Sequence, residues 1–426
     1  MNICGISFHC CPYSLLGGDG TGGMSVYLRE LSSSIANFPE VKIDIFTRIQ
    51  TPKLRGIKNI SPHVRIIHVK GGPERVVDRR SLYDFIPEFA ENLAGFISRE
   101  KRRYDVLYSH YWLSGLVGWL LKHKYNVPLV HVYHTLAFLK RRMLEVGEEH
   151  PQRLKKEENL SFIADAIISS SGREKKNLVD FYRIPESKTK VIYPGVNRKL
   201  FYPDSSLEVL KEIGCTRRNK ILLYVGRIEP VKGLMTVIEA FSGLKERNPS
   251  LYEQLKLVVV GGGRKEVDLP RNKEFMRINE TMQNNRLEGK VIFLGSKEQR
   301  ELKNYYSTAD VLVVPSVYES FGLVVIEALA CGTPVIVSQI GEMKTIVKQG
   351  KNGFSFRPQD PISLARALER FFSSEKRLWD REKISQNVIQ RFSWERTAKQ
   401  TFDFFHDVQK EFLWLPPDFN AVETFS

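Results

Sequence analysis

Short runs of apolar residues alternate along the chain with longer stretches whose apolar residues recur every third or fourth position. In the first half the short runs are MNICGISF, VKIDIFT, VRIIHV, VLYSH, LVHVYH and AIISSS. Their length and bounding turn residues predict strands. Between them GMSVYLRELSSSIA and LSGLVGWLLKHK carry helical spacing. The alternation predicts a parallel sheet covered by helices.

The pattern then starts again. KILLYVGR, KLVVVGGG, KVIFLG, DVLVVPS and PVIVS read as strands, separated by helical stretches such as GLMTVIEAFSGL and KEQRELKNYYSTA. Between the two halves lies VIYPGVNRKLFYPD, rich in Pro, Gly and aromatic residues. It sets a boundary near residue 195 and predicts domains over 1–195 and 196–395. After FSWE the segment RTAKQTFDFFHDVQKEF is amphipathic, and the tail 396–426 is expected to pack back across the first domain. The fold class is α/β, with two Rossmann-like, doubly wound sheets facing a central cleft. Ligands of such sheets bind beyond the carboxyl ends of the strands, so the loops after strands carry the chemistry.

Composition narrows the picture. At 426 residues the chain exceeds one ordinary core, which agrees with two domains. A net charge of +15 favours anionic partners: phosphorylated small molecules, a membrane surface or nucleic acid. Zinc spacing, a helix-turn-helix cue and an RNA-recognition signature are missing, which argues against nucleic acid. The five cysteines lack metal-binding spacing and read as reduced thiols of a cytoplasmic protein. The start, MNICGISFHCC, reads as a strand and not as a signal peptide, and no apolar run reaches the length of a membrane span.

Three loops stand out. In LLGGDGTGGMSVYL, Gly18, Gly20 and Gly23 satisfy the spacing of a dinucleotide fingerprint. HCCPYSLL separates them from the strand, whereas that fingerprint needs a tight turn. Either this is a plain surface loop, or Gly22 and Gly23 let a phosphate approach a helix start. In LLYVGRIEPVKG, Arg227 and Lys232 follow a strand and together could neutralise a diphosphate. In VYESFGLVVIEALACGTPVI, Glu319 precedes a helix expected near Gly322 and Glu327 lies one turn inside it. A carboxylate suits a sugar or ribose diol. A helix cap plus an exposed acid is the plainer alternative.

Taken together, VGRIEPVKG, PSVYESFGLVVIEALACGTPVI, the later NGF, and GGMSVYL, SHYWLSG and VYHTL in the first half resemble the retaining glycosyltransferases of family 4, which have the GT-B fold. The resemblance covers nearly the whole chain. It implies a hexosyltransferase with a nucleotide-sugar donor, UDP-linked glucose or N-acetylglucosamine. Gly22 and Gly23 would face the donor diphosphate, and Arg227 and Lys232 would bind it and stabilise it as leaving group. Glu327 would hold the ribose hydroxyls. Glu319 and the amides of Phe321, Gly322 and Leu323 would hold the donor sugar and phosphate, with His134 near the transferred sugar. The implied mechanism is a front-face substitution needing no cofactor. The absence of a D-x-D triplet fits a metal-independent version, with cations in place of Mg²⁺.

Within the family the first half is most similar to the mycothiol-pathway enzyme that glycosylates inositol phosphate and to sucrose-phosphate synthase. Both hold an acceptor phosphate with basic and hydroxyl side chains. The matching positions are Arg79 in VVDRRSLY, Tyr111 in SHYWLSG, Thr135 and Lys140 in HTLAFLK, and Arg153 in PQRLKKEE. Ser25 stands where the mycothiol-pathway enzyme has Asn, so a phosphorylated acceptor is implied more firmly than inositol phosphate itself. The same residues could belong to a generally basic surface. A rival keeps the fold and takes a lipid or surface glycan as acceptor, with KRRYD and KRRMLEVG as basic helices in peripheral contact with a membrane. A nicotinamide oxidoreductase built on the glycine loop is a further rival. Oligomeric state is not legible.

Overall fold

A computed structural model describes residues 1–13, 22–143, 150–204, 207–263, 272–374 and 379–414. Gly18, Gly20 and the end of the tail lie outside these residues. The first sheet contains β1 (Asn2–Ile6), β2 (Lys42–Arg48), β3 (Gly56–Ser61), β4 (Val64–Val69), β5 (Val106–His110), β6 (Leu129–Val132), β7 (Ala166–Ser169) and β8 (Thr189–Val191). Their order is β3-β4-β2-β1-β5-β6-β7-β8. Every neighbouring pair is parallel except β3 with β4.

Both faces of this sheet are covered, which is why its strands are apolar nearly throughout. Phe46, Ile67 and Leu107 pack under the helices Ile86–Glu100 and Trp112–Tyr125. Ile45, Ile66 and Val106 face the other way, towards the helix Gly23–Ile35 and towards Trp394, Phe402 and Phe405 of the last helix, Trp394–Trp414. That helix follows the second domain in sequence and lies on the first in space. Edge strand β3 is exposed or half-exposed along its length.

The second sheet contains β9 (Lys220–Val225), β10 (Leu255–Val260), β11 (Val291–Phe293), β12 (Val311–Val314), β13 (Val335–Ser338) and β14 (Gly353–Phe356), all parallel, in the order β11-β10-β9-β12-β13-β14. The chain crosses between the domains twice, side by side. Val196 N donates to Phe392 O at 3.1 Å, and a Cβ on Gly195 would lie 2.2 Å from Trp394 N.

Each sheet reverses its winding direction once, between β1 and β5 in the first and between β9 and β12 in the second. Crevices at such reversals, beyond the carboxyl ends, are the natural ligand sites of open α/β sheets. The loops leaving β5, β9 and β12 carry Tyr111, Arg227 with Lys232, and Glu319.

One expectation is corrected here. KRRYD is not a helix. The helix Ile86–Glu100 ends at Lys101 in the left-handed region, and Arg102 and Tyr104 turn back to a buried carboxylate, Asp44, at 2.8 and 2.6 Å. Arg65 takes the same carboxylate at 2.7 Å, so Arg102 is used internally and does not build a basic face. KRRMLEVG begins in the helix Ala137–Met143 and then leaves the described residues. Among the described residues no helix is long and apolar enough to cross a membrane.

Candidate active site

The loop after β9 folds tightly onto the loop after β12. Gly233 has φ +70°, and a Cβ there would meet Pro315 O at 2.3 Å. Val317 N donates to Val231 O at 2.9 Å. This contact sets Lys232 beside Glu319, with Nζ donating to Oε2 at 2.6 Å and Ser316 Oγ 3.5 Å from the same oxygen. Both side chains keep about a fifth of their surface, 22% for Lys232 and 19% for Glu319. Arg227 is more exposed and pairs with Glu229. The two cations expected at a diphosphate thus share one crevice edge with acids.

Gly322, in the left-handed region at φ 97°, starts the helix Leu323–Ala330, whose first amides lack acceptors within the helix. Phe321 is buried against Tyr193 and Phe392. Glu327 is buried, which removes the exposed-acid alternative. Gln299 Nε2 donates to its Oε1 at 3.0 Å and Tyr306 Oη to its Oε2 at 2.9 Å. Burial raises its pKa, and those two hydrogen bonds pull against the rise. Each oxygen retains a lone pair for a further hydroxyl.

Across the crevice Gly22 caps the helix Gly23–Ile35. A Cβ on Gly22 would meet none of the described residues within 4 Å, and one on Gly23 would lie 3.6 Å from Leu323 Cδ1. Two helix starts, one from each domain, therefore face each other. His134, half-buried with φ 58°, lines the first-domain wall. Its Nε2 is 2.9 Å from His110 Nδ1 and its ring stands edge-on to Tyr27. Desolvation lowers its pKa to about 3, so it is a neutral imidazole at physiological pH.

The acceptor candidates gather around Tyr111. Its ring is 4.6 Å from that of His9, with the Arg153 guanidinium at 4.8 Å and that of Arg79 at 6.0 Å. The Tyr111 hydroxyl is buried and has no hydrogen-bond partner among the described residues. Arg153 is fully buried; Nε donates to Glu157 at 2.6 Å and Nη2 to Thr135 O and Oγ1 at 2.9 Å each. With Thr135 Oγ1 accepting from Arg153, its own O–H remains to donate elsewhere. Lys140 is half-buried, one helical turn beyond Leu136. Ser25 is different: it is buried and its hydroxyl meets Cys10 Sγ at 3.5 Å, in the wall behind the crevice. Trp112, part of the same HYW run, is core.

Two family descriptions divide the chain between them: "Glycosyltransferase Family 4" over residues 21–200 and "Glycosyl transferases group 1" over 208–391. A D-inositol 3-phosphate glycosyltransferase from Streptosporangium roseum is 33% identical over 416 residues, covering 94% of this chain and 92% of that protein. The chain belongs to glycosyltransferase family 4. A second relative of the same description, from Geodermatophilus obscurus, is 34% identical over 400 residues and covers 92% of this chain and 86% of its own length. Among solved structures, sucrose-phosphate synthase from Thermosynechococcus elongatus superposes with a TM-score of 0.85 at 31% identity, covering 96% of this chain and 99% of that one. The fold is accordingly GT-B.

Several residues of this family 4 enzyme's site were not picked out from its sequence. Tyr318 and Ser320 flank Glu319 and point the opposite way, into the first domain. Leu136 N donates to Tyr318 Oη at 3.0 Å, and Ser320 Oγ donates to His134 O. Alternation along an extended loop was the available signal. Glu157 sits four residues after Arg153, an ion-pair spacing open to reading from the sequence. Arg29, which donates to Gln299 Oε1 across the domains, had no signal at all.

Proposed function

We propose that the chain transfers a hexose from a nucleoside diphosphate sugar, UDP-glucose or UDP-N-acetylglucosamine, to a hydroxyl of a small phosphorylated acceptor, an inositol phosphate or a sugar phosphate. The observation that carries the acceptor class is the Tyr111 hydroxyl. It is buried and unpartnered beside two guanidinium groups and near an unspent Thr135 proton. A phosphate would supply acceptor oxygens to all of them at once. The relatives' descriptions, inositol phosphate in one group and sucrose phosphate in the other, support the same class.

On this reading Lys232 and Arg227 take the leaving diphosphate, with Lys232 held ready by Glu319. The facing helix starts at Gly22 and Gly322 add amides for its oxygens. Glu327 takes the ribose diol. Neutral His134 offers a hydrogen bond to the transferred sugar without placing a competing cation there. No side chain is needed as a nucleophile: the acceptor hydroxyl attacks the face the diphosphate leaves, so the anomeric configuration is retained. Charge on the leaving group is met by fixed cations and amides.

The test is nucleoside diphosphate release with EDTA present. UDP-glucose, UDP-N-acetylglucosamine and GDP-mannose are crossed with inositol, fructose and glucose, each with and without a phosphate. Release that requires the phosphorylated member is the expected result, and Lys140→Ala should raise KM for it while leaving kcat. Equal release with both members would remove the phosphate pocket from the account.

A further inference from the structure

A second cavity, of about 250 Å³, opens at the joint where the chain crosses between the domains. It shares no lining residue with the crevice described above. One wall comes from the end of the first domain, with Gly172, Val191 and Tyr193. The other comes from the returning chain, with Arg391, Arg396, Thr397 and Gln400. The volume holds several waters and falls just short of a drug-sized pocket, so it suits a small ligand.

Its charge is unusual. Arg391 ends the helix Arg381–Arg391 of the second domain, and Arg396 lies in the first turn of the helix packed on the first domain. Among the described residues neither forms an ion pair. Arg391 is fixed by donating to Thr345 O at 3.3 Å and by lying 4.7 Å over the Phe392 ring. A cation in the first turn of a helix works against the helix dipole, and an anion in the cavity would relieve it. Two acids lie nearby: Glu342 is buried and already accepts from Thr345 Oγ1, and Glu395, next to Arg396 in the same first turn, pairs with Arg198 at 4.0 Å. The Gln400 amide adds a donor to the lining, whereas the Thr397 hydroxyl already donates to Tyr193 O at 2.7 Å and holds the wall in place.

We propose that this cavity binds a small phosphate-bearing anion, clamped between Arg391 and Arg396. Because the arginines sit on helices belonging to different bodies, the anion ties the joint at the interdomain angle seen here. The route to the active site is short. Tyr193 and Phe392, both in the cavity wall, have ring centroids 6.1 and 5.5 Å from that of Phe321 in the loop that carries Glu319. A ligand that favours one joint angle therefore shifts that loop through differential affinity.

Equilibrium dialysis of radiolabelled inorganic phosphate against the full chain tests this in wild type, Arg391→Gln/Arg396→Gln and Lys140→Ala. The expected result is a class of bound phosphate that survives Lys140→Ala and is about tenfold or more weaker in the double arginine variant, the loss of charge-assisted hydrogen bonds. Phosphate binding that is the same in wild type and the arginine variant, or absent from both, would overturn the proposal. Arg396→Gln alone, at an exposed position, gives the same readout should the double variant not fold. The acceptor reading is tested separately, since only Lys140→Ala bears on it.

Discussion

At the scale of single residues, Lys232 and Tyr111 separate chemistry from stability most cleanly. If Lys232 takes the leaving diphosphate as proposed, Lys232→Ala should lower kcat by about 10²–10³. It also strands Glu319, which is four-fifths covered and accepts from Lys232 at 2.6 Å. A second substitution, Glu319→Gln, should then restore the melting temperature without restoring turnover. Recovery of both would mean that Lys232 serves only to pair an acid. Tyr111→Phe has the opposite character. Its hydroxyl is buried without a partner, and an unmade buried hydrogen bond costs about 1–3 kcal/mol. The variant should be as stable as wild type or slightly more so, yet show roughly tenfold higher KM for the phosphorylated acceptor. Urea denaturation and steady-state kinetics on one preparation decide it, and a destabilised variant with unchanged KM would contradict the assignment.

Elements are held around the site by a buried ion pair that links three helices. Arg153 and Glu157 are both fully buried on the helix Arg153–Ile163. Glu157 Oε2 also accepts from Ala137 N at 2.8 Å, at the start of the preceding helix, Ala137–Met143, and from Tyr182 Oη at 2.6 Å, on a third. Removing one partner leaves an uncompensated buried charge, which costs about 3–5 kcal/mol. Glu157→Ala should lower stability by that amount, and Arg153→Met/Glu157→Leu should recover most of it while activity stays lost; a double variant no better than the single one would show that the hydrogen bonds matter more than the charge. The sequence made elements of this kind legible unevenly. Buried parallel strands stand out because both of their faces are apolar, and the rule that ligands bind at carboxyl ends then selects the loops that line the crevice. Edge strand β3 escaped because GIKNIS is exposed along its length and holds only a ladder to β4. KRRYD looked helical and basic because nothing local shows that Arg102 and Tyr104 return to Asp44, some sixty residues away. Lys232 and Glu319 both stand out in the sequence as candidate site residues, but their mutual contact spans 87 positions and depends on Gly233 meeting Pro315.

At the scale of the whole molecule, the two domains meet through polar contacts that run directly past the chemistry. Ser320 reaches His134 O, Tyr318 reaches Leu136 N, and Arg29 reaches Gln299, which itself holds Glu327. Opening the crevice breaks these bonds, so donor and acceptor binding should favour closure. Behind the first-domain face of this contact lies a group of histidines at the ends of β5 and β6. His110 and His131 are fully buried, each with an Nε2 that has no partner among the described residues. Desolvation holds His131 at about 3 and His110 well below its ordinary value, with neighbouring histidines adding to both. In the unfolded chain both would titrate near 6.5. Between those limits the unfolded state binds more protons than the folded one, so stability must rise with pH there. The contribution is complete above about pH 7 and is lost progressively as pH falls below 6.5, at about 1.4 kcal/mol per pH unit for each neutral histidine. Glu327, whose pKa is raised by burial, has the opposite sign: it favours the folded state below its folded pKa, and that contribution fades as pH rises through it. His9, His68 and His134 are lowered by burial in the same way, and Glu174 and Glu239 are raised like Glu327, so five histidines against three carboxylates make the acid side the weak one. Urea midpoints measured at pH 5.5, 6.5, 7.5 and 8.5 should be flat over the upper pair and fall steeply over the lower. His131→Gln, which keeps a hydrogen bond to Ser109 within reach and cannot titrate, should flatten that fall by about one proton's slope. An acid limb that is no shallower in His131→Gln would place its origin in the other buried histidines, His9, His110 and His134, instead.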